Sequence, residues 1–368
     1  MKNTKKACSG ILAGLVLVAL ICAATAQLSQ AQDSFIGPLN TVQVVASTVP
    51  ANGDVNPYGV FRVPVSAGKL VAGDILVSNF NNTNNLQGTG TTIMEISPAG
   101  AVLQFAQIDA SNLPSSCPGG VGLTTALVVL RTGWVIVGSL PTTDGTAATA
   151  RAGCLLVLNN QGQVVETFSG APINGPWDAT IFDGSNQAAL FFTNVLNGTV
   201  AGGGKVVNRA TVVRFLLSVS TTSAPVVVQK TVIASGLPAR TDPAALVIGP
   251  TGLALSGNSS QLFVNDSLNN RIAAIANPVS RSNSAGIGLT LTQNGALNDP
   301  LGLTRAPNGD IIAANGNDGN LVEVTPSGAQ VARKLVQPNG AGDLFGLFAT
   351  STRVYFVNDG TNTLNVLQ

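Results

Sequence analysis

The chain has 368 residues, enough for one large domain or two ordinary ones, and a formal net charge of +1 that leaves no electrostatic footprint for nucleic acid. Histidine is absent, which excludes His-based acid/base catalysis, His metal sites and every Ser-His or Cys-His nucleophile pair, and leaves Lys- and carboxylate-based chemistry open. Charged residues make up 10%, hydrophobic ones 45%, and there are 41 glycines: too apolar for disorder, and suited to short strands and many turns.

In chain order, Lys2, Lys5 and Lys6 form a basic start, Ile11 to Ala24 an apolar core, and Ala24-Thr25-Ala26 and Ser29-Gln30-Ala31 offer small-residue cleavage sites. This is the pattern of an export signal over residues 1–31, followed by a lead over 32–40. A retained anchor is the alternative, but the apolar run is short of the ~20 residues a spanning helix needs. No second long apolar run follows, so no membrane span is expected after signal removal, and the protein is expected to be secreted or periplasmic. Cys8 and Cys22 would leave with the signal. Cys117 and Cys154 remain, and an even count in an oxidising compartment predicts a disulfide, the alternative being two buried thiols.

From residue 41 on, the sequence repeats. Six segments each run as an apolar strand into a small polar residue: Ile75–Asn79, Val135–Ser139, Phe191–Asn194, Leu262–Asp266, Ile311–Asn315 and Tyr355–Asp359. Each is preceded by a strand with its own lead-in, at Asn56-Pro57-Tyr58-Gly59, Gly120–Leu123, Gly175-Pro176-Trp177-Asp178, Asp242-Pro243-Ala244-Ala245, Asp299-Pro300-Leu301-Gly302 and Asp343-Leu344-Phe345-Gly346. Gly59 to Gly346 spans five repeats, a mean period of about 57 residues, somewhat above the ~40–50 of a four-stranded propeller blade. Third strands follow at Thr92–Ser97, Cys154–Asn159, Thr211–Leu217, Arg271–Ala276, Leu321–Thr325 and Thr363–Leu367. Fourth strands follow at Val102–Ile108, Val164–Phe168, Val226–Ile233, Gly288–Thr292 and Ala329–Leu335. The sixth unit lacks its fourth strand, and a spare one, Thr41–Thr48, stands before the first. The sequence therefore predicts an all-β, six-bladed β-propeller of four-stranded antiparallel blades over 41–368, closed by its N-terminal strand so that no open edge remains.

These units resemble NHL-repeat propellers, most clearly in Leu262–Ile272 and in Asp299-Pro300-Leu301-Gly302-Leu303 followed by Pro307-Asn308-Gly309-Asp310. The resemblance implies the fold and says little of function. Related propellers include calcium lactonases of the gluconolactonase type, streptogramin lyases, amidating lyases and pure binding proteins. The lyases use His, which this chain lacks, and no Glu at a strand start completes the lactonase metal set.

Chain direction alternates within a blade, so strand 2–3 loops and the connections into the next blade share one face. The three long loops, Phe80–Thr91, Pro141–Gly153 and Val195–Asn208, fall there. That face is the expected place for a protein, glycan or small-molecule ligand, against the reading that exposed loops simply tolerate insertion. The strand-end residues Asn79, Asn194, Asp266, Asn315 and Asp359 could ring the channel mouth as ligand-binding groups or oxygen donors to Ca²⁺. Asn and Asp after a strand are also ordinary turn formers, and that explanation suffices for a residue common to every blade. Two functions follow: a binding or scaffold module, or a calcium-dependent hydrolase or lactonase with its site at the channel mouth.

Overall fold

A computed structural model of the protein describes residues 34–368; the predicted signal lies outside the described residues. Six antiparallel sheets form the blades. The first strand, β1 (Val42–Ser47), precedes blade 1, which is β2 (Val55–Arg62), β3 (Ile75–Asn81), β4 (Thr92–Ile96) and β5 (Val102–Gln107). Blade 2 is β6 (Leu123–Val129), β7 (Val135–Ser139), β8 (Cys154–Leu158) and β9 (Val164–Phe168). Blade 3 is β10 (Pro176–Asp183), β11 (Gln187–Asn194), β12 (Val207–Ser218) and β13 (Val226–Asp242), extended by the short β14 (Leu246–Ile248). Blade 4 is β15 (Pro250–Leu255), β16 (Gln261–Asp266), β17 (Arg271–Ala276) and β18 (Leu289–Gln293). Blade 5 is β19 (Pro300–Arg305), β20 (Ile311–Asn315), β21 (Asn320–Val324) and β22 (Gln330–Leu335). Blade 6 is β23 (Leu344–Ala349), β24 (Val354–Asn358) and β25 (Thr363–Leu367), and β1 pairs antiparallel with β25 as its outermost strand.

The inner strands β2, β6, β10, β15, β19 and β23 touch their neighbours all the way round the ring. Second strands such as β3, β7 and β20 are buried along their whole length, because each blade is covered on both faces. Alternate side chains serve opposite neighbours: Leu76 packs into the cluster shared with blade 2, while Ile75 and Val77 join the cluster shared with blade 6. This explains why these strands read as unbroken apolar runs rather than as alternating ones. Every inner strand carries a register shift near its start, at Pro57/Gly59, Leu123/Leu127, Pro176/Ala179, Pro250/Leu253, Pro300/Leu303 and Leu344/Leu347. Such a bulge re-aims the side chains beside it, here towards the channel. The inner strands then converge so closely that a Cβ on Gly302 would overlap the Phe345 carbonyl oxygen, and one on Gly346 that of Tyr58.

Three ties complete the frame. Cys117, in the connection into blade 2, forms a disulfide with Cys154 of β8. The buried Glu323 carboxylate accepts the N–H groups of Phe35 (2.7 Å) and Ile36 (2.8 Å), so the segment before β1 is fastened to blade 5. Arg214 of β12 donates to the Pro278 and Val279 carbonyls at 3.0 and 2.6 Å, tying blade 3 to blade 4.

One element departs from the sequence reading. The Asp242–Ala245 segment does not lead into the inner strand of blade 4. The outer strand β13 continues past the expected end at Ile233 to Asp242, and the chain folds back through β14 before β15 begins at Pro250. Gly236 and Pro238 resemble a turn in the sequence; in the structure Gly236 has φ +85° and the β12–β13 pairing carries several register irregularities, so the strand bends there without ending.

Candidate functional site

The pairing of first and second strands fixes the true column of strand-end residues. Pro57 faces Asn79, Leu123 faces Ser139, Pro176 faces Asn194, Pro250 faces Asp266, Pro300 faces Asn315, and Leu344 faces Asn358. In blade 6 the column residue is therefore Asn358, and Asp359 stands one place beyond it. In four blades the column residue holds the incoming connection of its own blade. Asn79 Nδ2 donates to Thr48 O (2.9 Å). Ser139 Oγ accepts from Gly122 N and donates to Gly120 O (both 3.0 Å). Asn194 Oδ1 accepts from Asn174 N (2.7 Å), and Asn315 Oδ1 from Asn298 N (3.1 Å). Asp266 instead takes the Arg271 guanidinium at 3.0 Å and the Asn269 amide at 2.9 Å.

The residue one place past the column sorts the blades into two kinds. In blades 1–3 it is Phe80, Leu140 and Val195, all buried in one apolar cluster with Tyr58, Trp177 and, from β14, Leu246 and Val247. In blades 4–6 it is Ser267, Gly316 and Asp359, and all three line a cavity of about 580 Å³ at the channel mouth. The β13–β14 hairpin contributes Arg240 and Asp242 to its wall, the connection into blade 5 contributes Asn298 and Asp299, and Asn56, Gln87, Asn270 and Asn317 complete the polar rim. Tyr58, Trp177, Leu301 and Phe345 face it from the inner strands. Tyr58 stacks on Phe345 with centroids 3.8 Å apart and meets Trp177 edge-on at 6.0 Å.

The electrostatics follow from enclosure. Burial, reinforced by the Asp343 carboxylate, pushes Asp359 up to about 7. Burial and the Asp242 charge push Asp299 up to about 6, with Arg240 pulling the other way. Arg240 bonds Asp242 at 2.6 Å; neither Asp299 nor Asp359 enters an ion pair among the described residues. Burial and then Asp359 hold the Tyr58 hydroxyl well above its ordinary value. Asn56 and Asp299 adopt left-handed backbone, φ +64° and +55°, a conformation that costs a non-glycine residue energy and is concentrated at functional sites. Asp299 is held there by its N–H donating to Asn270 Oδ1 at 2.6 Å. Below the cavity Asp178 stands where blades 1, 4, 5 and 6 have glycine; its carboxyl accepts Leu253 N at 2.9 Å, and burial pushes it up to about 8.

Of the candidates Asn79, Asn194, Asp266, Asn315 and Asp359, the structure brings only Asp359 to the cavity. Ca²⁺ takes six to eight oxygens. Asn79, Asn194, Asp266 and Asn315 direct side-chain atoms into the turn and ion-pair contacts above, and among the described residues no three acidic, Cys or His side chains converge. These five residues therefore do not assemble one calcium site. Sequence reasoning missed Arg240, which needed the unexpected hairpin, and Asn56, Asn270 and Asn298, which read as plain turn formers. The three long loops lie on the cavity's face, but of them only Gln87 borders it.

Fold and site together define a six-bladed β-propeller with a polar, aromatic-floored cavity at one mouth of its channel. Solved structures agree on the fold: a calcium-binding protein, regucalcin, from Agrobacterium tumefaciens (12% identity, 89% of this chain and 93% of that one, TM-score 0.55), a gluconolactonase from Xanthomonas campestris (12%, 90% of each chain, 0.54) and a virginiamycin B lyase from Staphylococcus aureus (15%, 89% and 85%, 0.50). No protein-family model matches the sequence, and no curated protein matches it by sequence.

Proposed function

We propose that this chain is an exported binding propeller, and that its ligand is a small molecule seated in the channel-mouth cavity. The observation that carries this reading is the cavity itself, polar-rimmed and floored by buried aromatic rings on a rigid ring of inner strands, a composition typical of ligand sites. The Cys117–Cys154 disulfide supports an oxidising compartment. The test is a thermal-shift screen of small polar compounds on the wild type and on Asp359→Leu, which extends the apolar residues of blades 1–3 into blade 6. Ligands of this site raise the melting temperature of the wild type and not of the variant. Compounds that shift both equally would place the binding site elsewhere.

A second reading is a hydrolase acting on lactones or esters. It is favoured by two carboxyls poised at about 7 and about 6 in one cavity, the range that suits general acid–base work near neutral pH. Asp359 or Asp299 would take a proton from an attacking water. Turnover of a lactone or ester panel, abolished in both Asp359→Asn and Asp299→Asn, would establish it.

A further inference from the structure

We propose that the ligand of the channel-mouth cavity is an organic cation, a small ammonium with an apolar body; this rests on that cavity being the binding site. The first ground is a charge imbalance. Asp242, Asp299 and Asp359 face the space against one guanidinium, Arg240, which Asp242 already holds at 2.6 Å. Asp299 and Asp359 are left with no cation among the described residues.

The second ground is independent of charge. Asn56 Oδ1, Gln87 Oε1 and Asp299 Oδ1 are enclosed and have no hydrogen-bond donor among the described residues. All three are acceptors on residues of the cavity wall. The orientation of the Gln87 amide is fixed, because its Nε2 donates to Ala244 O at 2.6 Å. Leaving enclosed acceptors unpaired is costly, so the wall calls for a donor-rich guest. The third ground is the floor, where Tyr58, Trp177 and Phe345 offer apolar ring surface to an alkyl or aryl body. An ammonium meets all three requirements at once: charge for Asp299 and Asp359, N–H donors for the oxygens, and an apolar body for the rings.

The groups facing Asp299 are Asp242 and Arg240 of β13, and those facing Asp359 are Asp343 and Tyr58. With Asp299 and Asp359 raised to about 6 and about 7, a cation must displace protons to bind at low pH. Its affinity therefore rises as pH increases through that window.

The experiment is calorimetric titration of the purified protein with phenethylammonium and cyclohexylammonium. Their neutral counterparts 2-phenylethanol and cyclohexanol are titrated alongside, at pH 5.5 and pH 8. At least one ammonium is expected to bind about 10-fold or more tighter than its neutral counterpart at pH 8 and to weaken at pH 5.5. Asp299→Asn and Asp359→Asn should each lower that affinity about 10-fold and flatten its pH dependence, with melting curves confirming that the variants fold. Equal binding of the alcohols, or cation binding indifferent to pH and to both substitutions, overturns the cation assignment. If neutral compounds nevertheless shift the wild type and not Asp359→Leu, the cavity remains the site. If no ammonium binds and no compound distinguishes wild type from Asp359→Leu, both readings fall together.

Discussion

The two halves of the channel mouth are built on the same repeat and differ in the residue that follows the strand-end column and in the loop behind it. Over blades 1–3 the position after the strand-end column carries Phe80, Leu140 and Val195, and with Trp177, Leu246 and Val247 these fill the mouth with apolar side chains. Over blades 4–6 the same position carries Ser267, Gly316 and Asp359, and the mouth stays open and polar. The strand 2–3 loops follow the same division: long in the first three blades, a single tight turn in the last three. The long loops thus serve to close one half, and the ligand-sized space belongs to the short turns opposite. In a propeller the frame repeats while the function rests on where the repeat is broken.

The largest expected effect comes from breaking the filled half. Phe80 is fully buried and stacks on Tyr58 at 4.5 Å, so Phe80→Ala should cost about 3–5 kcal/mol in chemical denaturation. A loss under ~1 kcal/mol would mean that the mouth relaxes freely and that the contrast between halves is not one of packing. Next is the staple on the same side. The Cys117–Cys154 bond closes a separation of 37 residues, and Cys117→Ser/Cys154→Ser should cost about 2–4 kcal/mol, read as a lower melting temperature that reductant reproduces in the wild type.

Asp178 tests whether the filled half is also the dry half. The unfolded chain releases this proton near its ordinary 3.8 and the folded one near 8. Between those values the folded state holds the extra proton, so its contribution to stability is complete below about 4, falls as pH rises and is lost by about 8. Asp178→Asn keeps an acceptor for Leu253 N and removes the titration. It should erase a decline of up to about 1.4 kcal/mol per pH unit. An unchanged pH profile would show that water reaches the waist beneath Trp177.

Much of the frame was legible in the sequence because propeller blades repeat a local pattern. The β17 and β25 boundaries follow from apolar runs set between turn residues, and a buried second strand cannot read as anything but apolar. Two things were not legible. The β13–β14 hairpin hides behind Gly236 and Pro238, whose local chemistry signals a turn, while the long pairing with β12 carries the strand through. The column itself was visible, but its register in blade 6 was not: Asn358-Asp359 offers two polar residues, and only pairing with Leu344 shows which one ends the strand. With Asp359 set one place on, the series Phe80, Leu140, Val195, Ser267, Gly316, Asp359 separates closed from open mouth. The cavity oxygens of Asn56 and Asp299 left no comparable signal, since Asn and Asp before proline suit a turn whether or not their side chains face a ligand.

The smallest effect sharpens the open half alone. Arg240 and Asp242 form a partly exposed pair, so Arg240→Gln should change stability by less than ~1 kcal/mol. Its electrostatic effect should be clearer than its energetic one. Arg240 draws Asp299 down while Asp242 pushes it up; removing the guanidinium leaves the push unopposed. The Asp299 carboxyl should then titrate above about 6, measured by NMR of its side-chain carbon, and be protonated to a larger fraction at neutral pH. A midpoint that stays put or falls would show that the Arg240 charge is spent on Asp242 and solvent, and that enclosure and the neighbouring carboxylate set the Asp299 titration without it.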